Sequence, residues 1–227
     1  IMEKYSQVVI ALTKTQQATV IPTQTPTPDV RGAQALFEQA QTNIANQEWC
    51  AAVETLKTLR DEDHTYQTLT VDGMVWLSLR NCAIQKITKE GDLEGGLYDL
   101  SLAEKFAPLD HDAVNYASWA RLYVTGASYW EVDWAQVVNF FSQVYAAFPY
   151  LHDTSGWTAT DRYRIGLREY GKSLMSSQEY CKAQEQFQLS LAIQNDEEAA
   201  KLLNEATTQC QGPITQPTAT IEETPPE

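Results

Sequence analysis

The 227-residue sequence predicts an all-α fold of about four helical hairpins closed by a capping helix. Three observations carry this. Apolar residues between about 31 and 211 recur at three- and four-residue spacing, and strand-like alternation is scarce. One phrase returns four times: an aromatic or Leu, a small residue three on, then Leu or Phe four further. It reads Trp49, Ala52, Leu56; Leu93, Gly96, Leu100; Trp134, Val137, Phe141; and Tyr180, Ala183, Phe187. Finally, Gly91, Pro108 and Pro149 stop helices between the phrases. The small middle residue is expected where two helices cross most closely, since a larger one would push the axes beyond the usual 8–10 Å or so. Val137 is the bulkier exception.

The first unit runs from about Ala33 to Arg60, with Leu36, Ala40 and Ile44 lining one helix and Trp49, Ala52, Val53, Leu56 and Leu59 the next. The second starts near Tyr66, passes through Val75, Leu79, Cys82, Ala83 and Ile87, breaks at Gly91, and resumes from Leu93 to Ala103. The third begins near Asp112 and carries Tyr116, Trp119, Ala120 and Tyr123. Residues 126–133 then form an aromatic insert before Trp134 opens the partner helix. In the fourth, Thr158 followed three residues on by Asp161 has the spacing of a capping box, so a helix opens there. A last helix, from Asp196 to Cys210, would cover the end with Ala199, Leu202, Leu203 and Ala206.

Outside these units lie three other segments. Residues 1–20 carry a short helical stripe, Tyr5, Val8, Val9 and Leu12, read as a juxtamembrane-like segment. Residues 21–30 contain Pro22, Pro26 and Pro28 among threonines, and 212–227 contain Pro213, Pro217, Pro225 and Pro226, the composition of an extended linker and a disordered tail.

The net charge of −14 opposes nucleic-acid binding, which needs Lys and Arg to displace counterions. No run approaches the roughly 18 apolar residues of a membrane span, so any membrane attachment is expected through a segment upstream of Ile1. Four cysteines allow three pairings. Aligning the phrases reduces these, because Cys50 and Cys181 each follow the first phrase residue and each has one cysteine in the next helix, Cys82 and Cys210. Two equivalent staples would use all four and imply an oxidising compartment. The alternative is four buried thiols.

The stretch 31–211 resembles the tetratricopeptide-repeat family. The four phrases match its second helices, and Tyr116, Trp119, Ala120 and Tyr123, like Leu167, Tyr170, Gly171 and Leu174, follow its first-helix consensus. The first phrase positions lie 44, 41 and 46 residues apart against about 34 in the family, a surplus that longer helices and the insert account for. The resemblance implies a right-handed superhelix whose first helices line a groove for an extended peptide. In that register the groove residues are Phe37, Gln41, Asn81, Gln85, Arg168 and Lys172. Asn and Gln would pair with peptide backbone, and Arg168 with Lys172 would take a carboxylate; the alternative is that these residues form an ordinary polar face.

Tyr129, Trp130 and Trp157 sit in predicted loops, where they either plug the gap left by the insert or stack on sugars or a partner's side chains, Trp130 being the first candidate for the latter. The three histidines, His64, His111 and His152, fall in successive turns beside acids, a placement suited to capping rather than to one metal site. No HExxH or phosphate-loop spacing occurs in the chain. No cofactor or metal is expected. The expected function is non-catalytic: a protein–protein or assembly scaffold, extracytoplasmic, at the cell surface or envelope and membrane-anchored. A glycan-binding module built on the loop aromatics is the alternative, and a cell-wall-acting hydrolase a distant third.

Overall fold

The computed structural model describes residues 31–212, and the expectations for 1–20, 21–30 and 213–227 lie outside these. The described residues are all-helical. In order the helices are α1 (Arg31–Ala45), α2 (Trp49–Glu62), α3 (Thr68–Gln85), α4 (Leu93–Ala103), α5 (His111–Ser128), α6 (Trp134–Ala147), α7 (Ala159–Ser176), α8 (Tyr180–Ile193) and α9 (Glu197–Gln211). Each packs on the helix before it and the helix after it, and α3 also touches α5, as α7 touches α9.

Every phrase opens a second helix, and its small residue is buried at a crossing. Gly96 is the tightest case. A Cβ there would stand 2.5 Å from Ile87 Cγ1 and 2.8 Å from the Ala83 carbonyl oxygen on α3. Because one obstacle is backbone, Gly96→Val should cost about 2–3 kcal/mol and lower the urea midpoint at unchanged slope. Val137, the bulky exception, is accommodated from the other side. Gly166 of α7 faces it, so closely that a Cβ on Gly166 would lie 2.8 Å from Val137 Cγ1. The small residue at this crossing has moved to the opposing helix.

A second recurrence was not legible as a motif. Gln47, Gly91, Glu131 and Gln178 all adopt left-handed backbone, with φ of 60°, 71°, 62° and 62°, and each lies two or three residues before a phrase. The left-handed residue ends one helix and turns the chain into its partner. Only the second unit uses glycine, and the reason is external to the turn: a Cβ on Gly91 would lie 2.6 Å from the Asp153 carbonyl oxygen and 2.7 Å from His152 Nδ1. The long α6–α7 connection therefore rests directly on the α3–α4 turn. Just before Gly91, residues Lys86–Glu90 form a π-helical turn.

The predicted capping box is formed, with Thr158 accepting from the Asp161 amide and Asp161 accepting from that of Thr158. Two expectations are corrected. The insert 126–133 is not all loop, because α5 continues to Ser128 and only residues 129–133 turn. Gly126, which looks like a helix breaker, is helical and buried where Phe140 and Phe141 cross it, and a Cβ there would lie 2.9 Å from either. Phe37 does not line a groove: it is only 9% exposed, packs with Leu56, Leu59 and Val71, and tilts against Tyr66 at 5.7 Å. Its apolar ring gains more from this core than from solvent.

The structure contains both disulfides, Cys50–Cys82 and Cys181–Cys210, each with Cα atoms 4.9 Å apart. The first ties the start of α2 to α3 and the second the start of α8 to the end of α9. None of the described helices is long and apolar enough to cross a membrane.

Candidate functional site

The structure distributes the residues expected in the groove rather than gathering them around open space. Gln41 is exposed. Asn81 donates to the Leu77 carbonyl at 2.9 Å and accepts from Arg80 at 2.8 Å, while Gln85 donates to Glu90 at 2.8 Å. Arg168 is paired with Glu169 at 2.9 Å, Asp196 at 2.8 Å and Glu198 at 3.4 Å; Lys172 with Glu198 at 2.6 Å and Glu169 at 3.1 Å. The chain's own carboxylates thus occupy the two cations expected to receive a partner's.

These pairs belong to a recurring inter-hairpin clasp. Asp110 caps α5 by accepting from the Ala113 amide, and receives two hydrogen bonds from Arg80 of α3 at 2.7 and 2.9 Å. Asp196 caps α9 through the Ala199 amide, and receives Arg164 at 3.0 Å and Arg168 at 2.8 Å from α7. In both places an arginine on one first helix holds the N-cap of the next first helix, where the helix dipole also favours the carboxylate. The sequence carried a signal for this, an arginine about 30 residues before an aspartate that precedes a helix, but nothing in it paired the two.

The Arg80 guanidinium and the Ala113 amide hold Asp110 well below the ordinary aspartate value. Burial pushes Asp196 upward, but the Ala199 amide and Arg168 outweigh it and leave it lowered from 3.8. Stability from such depressed carboxylates is complete above the unfolded value and drains as pH falls through it toward the folded values. Thermal midpoints should therefore hold level from about pH 7 to 5 and drop below about pH 4. An Asp110→Ser, Asp196→Ser variant, which keeps both caps, should show a shallower acid drop in the same scan.

The joint between α5 and α7 is closed differently. The N-cap there is Thr158, and Arg121 of α5 points into solvent. Instead the Tyr123 hydroxyl donates to the Trp157 carbonyl, and burial pushes its pKa up to about 12, so the donor proton stays in place. Arg162 lies against two indoles, 4.7 Å from the Trp130 ring centre and 5.2 Å from that of Trp157, and pairs with Asp153 at 2.7 Å. Trp130 also meets Trp134 and Trp157 edge to face, and Tyr129 stacks on Phe140 at 5.7 Å. Tyr129 and Trp130 are thus packing groups of the insert. Trp157, 40% exposed, is the one member of the trio with a large face in solvent.

Beside this joint is a cleft of about 470 Å³, bounded by Gly91, Glu94, Tyr123, Ser128, Asp153 and Ser155. Its most chemical groups have structural partners: Tyr123 as above, Asp153 on Arg162 and Ser155, and neighbouring Asp92 as the N-cap of α4. The histidines are spread out. His111 contacts Asn115 at 3.1 Å, and His152 Nδ1 meets the Asp153 carbonyl at 3.0 Å. Among the described residues, no three His, Cys, Asp or Glu side chains are grouped as metal ligands would be.

Exposed apolar side chains recur on α3 and α5. Leu69 is 91% exposed, Gly73 has open space above it, and Leu77 follows at the same four-residue spacing. Leu77 and Val114 each stand about one turn from the Arg80–Asp110 clasp, and Ser118, Arg121 and Thr125 continue the exposed stripe along α5. The family register reached this side of α3 at Asn81 and Gln85, which continue the four-residue spacing of Leu69, Gly73 and Leu77, but it named neither those three nor any residue of α5. Comparison of the chain with protein-family models, curated proteins and solved structures gives no match.

Proposed function

We propose that the described domain is a non-catalytic scaffold of the tetratricopeptide type, a right-handed superhelical stack that binds a protein partner along the exposed faces of α3 and α5. The observation that carries this is the exposed row Leu69, Gly73 and Leu77 on α3, with Val114 exposed on α5 on the other side of the clasped joint. Side chains like these are costly to leave in water and gain when a partner covers them. Arg121, adjacent on α5, would supply a cation for an acidic group on that partner. The serial packing of helices supports the stack, since hairpins that touch only near neighbours leave long faces available. The two disulfides favour an oxidising compartment, and we place the module outside the cytoplasm, at the cell envelope.

The test is site-specific photo-crosslinking of the full chain in its native envelope fraction. A photoreactive residue at position 69 should give a discrete protein adduct that one at position 205 on α9 does not, and Leu77→Asp should abolish it. Identical adducts from both positions, or none at 69, would sink the proposal. The glycan-binding alternative draws on the exposed indole of Trp157. It predicts polysaccharide retention that Trp157→Ala removes and Leu77→Asp leaves intact.

A further inference from the structure

Among the described residues, Asp99 of α4 is the one buried acid, 7% exposed. Its Oδ2 accepts from Lys86 Nζ at 2.7 Å and stands 3.5 Å from Cys82 Sγ. A disulfide sulfur has no proton to give, so this contact becomes a hydrogen bond only when the Cys50–Cys82 bond is open and Cys82 is a thiol. Burying a carboxylate is costly, and this one makes full use of its position in the reduced chain. The two sulfurs stand in opposite surroundings. Cys50 is half-buried and second in α2, whose first turn has no side-chain cap, and the positive end of a helix favours a thiolate. Cys82 is 2% exposed, so its thiol reacts when a neighbouring base takes the proton. The equivalent pair lacks that base. Cys181 Sγ meets the Cys210 carbonyl at 3.8 Å, and among the described residues no carboxylate touches either sulfur.

We propose that Cys50, Cys82 and Asp99 form a thiol–disulfide exchange site, at which the reduced pair passes two electrons to a disulfide on another molecule. This goes beyond the binding role and does not rest on it. The Cys50 thiolate attacks one sulfur of the external disulfide, forming a mixed disulfide and releasing the first external thiolate. Asp99 then takes the Cys82 proton, and the Cys82 thiolate attacks Cys50 Sγ. That step closes the Cys50–Cys82 bond and releases the second external thiolate, and the proton passes from Asp99 to solvent. The external disulfide is reduced and the cysteine pair oxidised. An external dithiol reopens the pair by the reverse steps. Lys86, on the π-helical turn, fixes the oxygen that accepts the proton.

The full chain, reduced and then freed of reductant, is given glutathione disulfide, quenched with acid at intervals and mapped by peptide mass. In the native chain glutathione should enter at Cys50, and Cys50–Cys82 should close about tenfold or more faster than Cys181–Cys210. In Asp99→Asn glutathione should enter at Cys50 at the native rate, but closure should slow by about 100-fold, so that the mixed disulfide accumulates while Cys181–Cys210 closes as before. Glutathione found on Cys82, equal closure of the two pairs in the native chain, or unchanged closure in Asp99→Asn would overturn the proposal. So would equal slowing of both pairs in the variant, since Asp99 would then act through the fold alone.

Discussion

Replacing Asp196 with Ala should destabilise the domain by about 3–4 kcal/mol and lower the thermal midpoint by on the order of 10 °C. Two losses combine. The first turn of α9 loses the acceptor for the Ala199 amide, worth about 1 kcal/mol, and Arg164 and Arg168 lose a carboxylate that is only 11% exposed. Arg164 is itself largely enclosed and has no other ion-pair partner among the described residues, so its charge is left uncompensated. Asp196→Ser separates the two losses. Serine can still cap the helix, so about 1 kcal/mol should return while the remainder persists. Calorimetry on the three proteins reads both figures. Equal midpoints for Asp196→Ala and the native chain would mean that the clasp contributes nothing.

The second large effect is removal of the disulfides. Each closes a loop of about 30 residues, with sequence separations of 32 and 29, and loop closure of that size stabilises by about 3–4 kcal/mol. The two should differ in how readily they are lost. Cys181 is exposed, while Cys82 is 2% exposed and lies 3.5 Å from the Asp99 carboxylate, itself paired with Lys86. Graded reductant with thiol labelling and peptide mass mapping should find Cys181 and Cys210 labelled first, under conditions that leave Cys50–Cys82 closed. Hydrogen exchange should then rise in α9 before it rises in α1 and α2. Labelling of Cys82 at the lowest reductant concentration would contradict this order.

Much of the fold was legible because it rests on local spacing. Trp49, Leu93, Trp134 and Tyr180 each open a helix, and Thr158 with Asp161 forms the cap that their separation implies. Where the reading failed, a residue's role depended on a distant helix. Gly126 looks like a breaker until Phe140 and Phe141 are seen crossing it, and Val137 looks too large until Gly166 is found opposite. The site was less legible than the fold. Arg168 and Lys172 were weighed as receivers of a partner's carboxylate although Glu169 stands beside them in sequence; their other acids, Asp196 and Glu198, lie about 30 residues further on, across a helix contact that no local pattern announces. Phe37 failed for a related reason: the family register set it outward, whereas Tyr66 and Val71 come round to cover it.

By itself the sequence determined the all-helical architecture, the phase of each hairpin and the equivalence of Cys50 with Cys181. All three follow from a 3.6-residue period and its repetition, which any window of a few turns displays. Tertiary structure alone decided which charges clasp which N-caps, which of the loop aromatics stays in solvent, and which helix face is left apolar and open. Long polar side chains reach across helices, and their partners are chosen by the separation of the helix axes rather than by their neighbours in sequence.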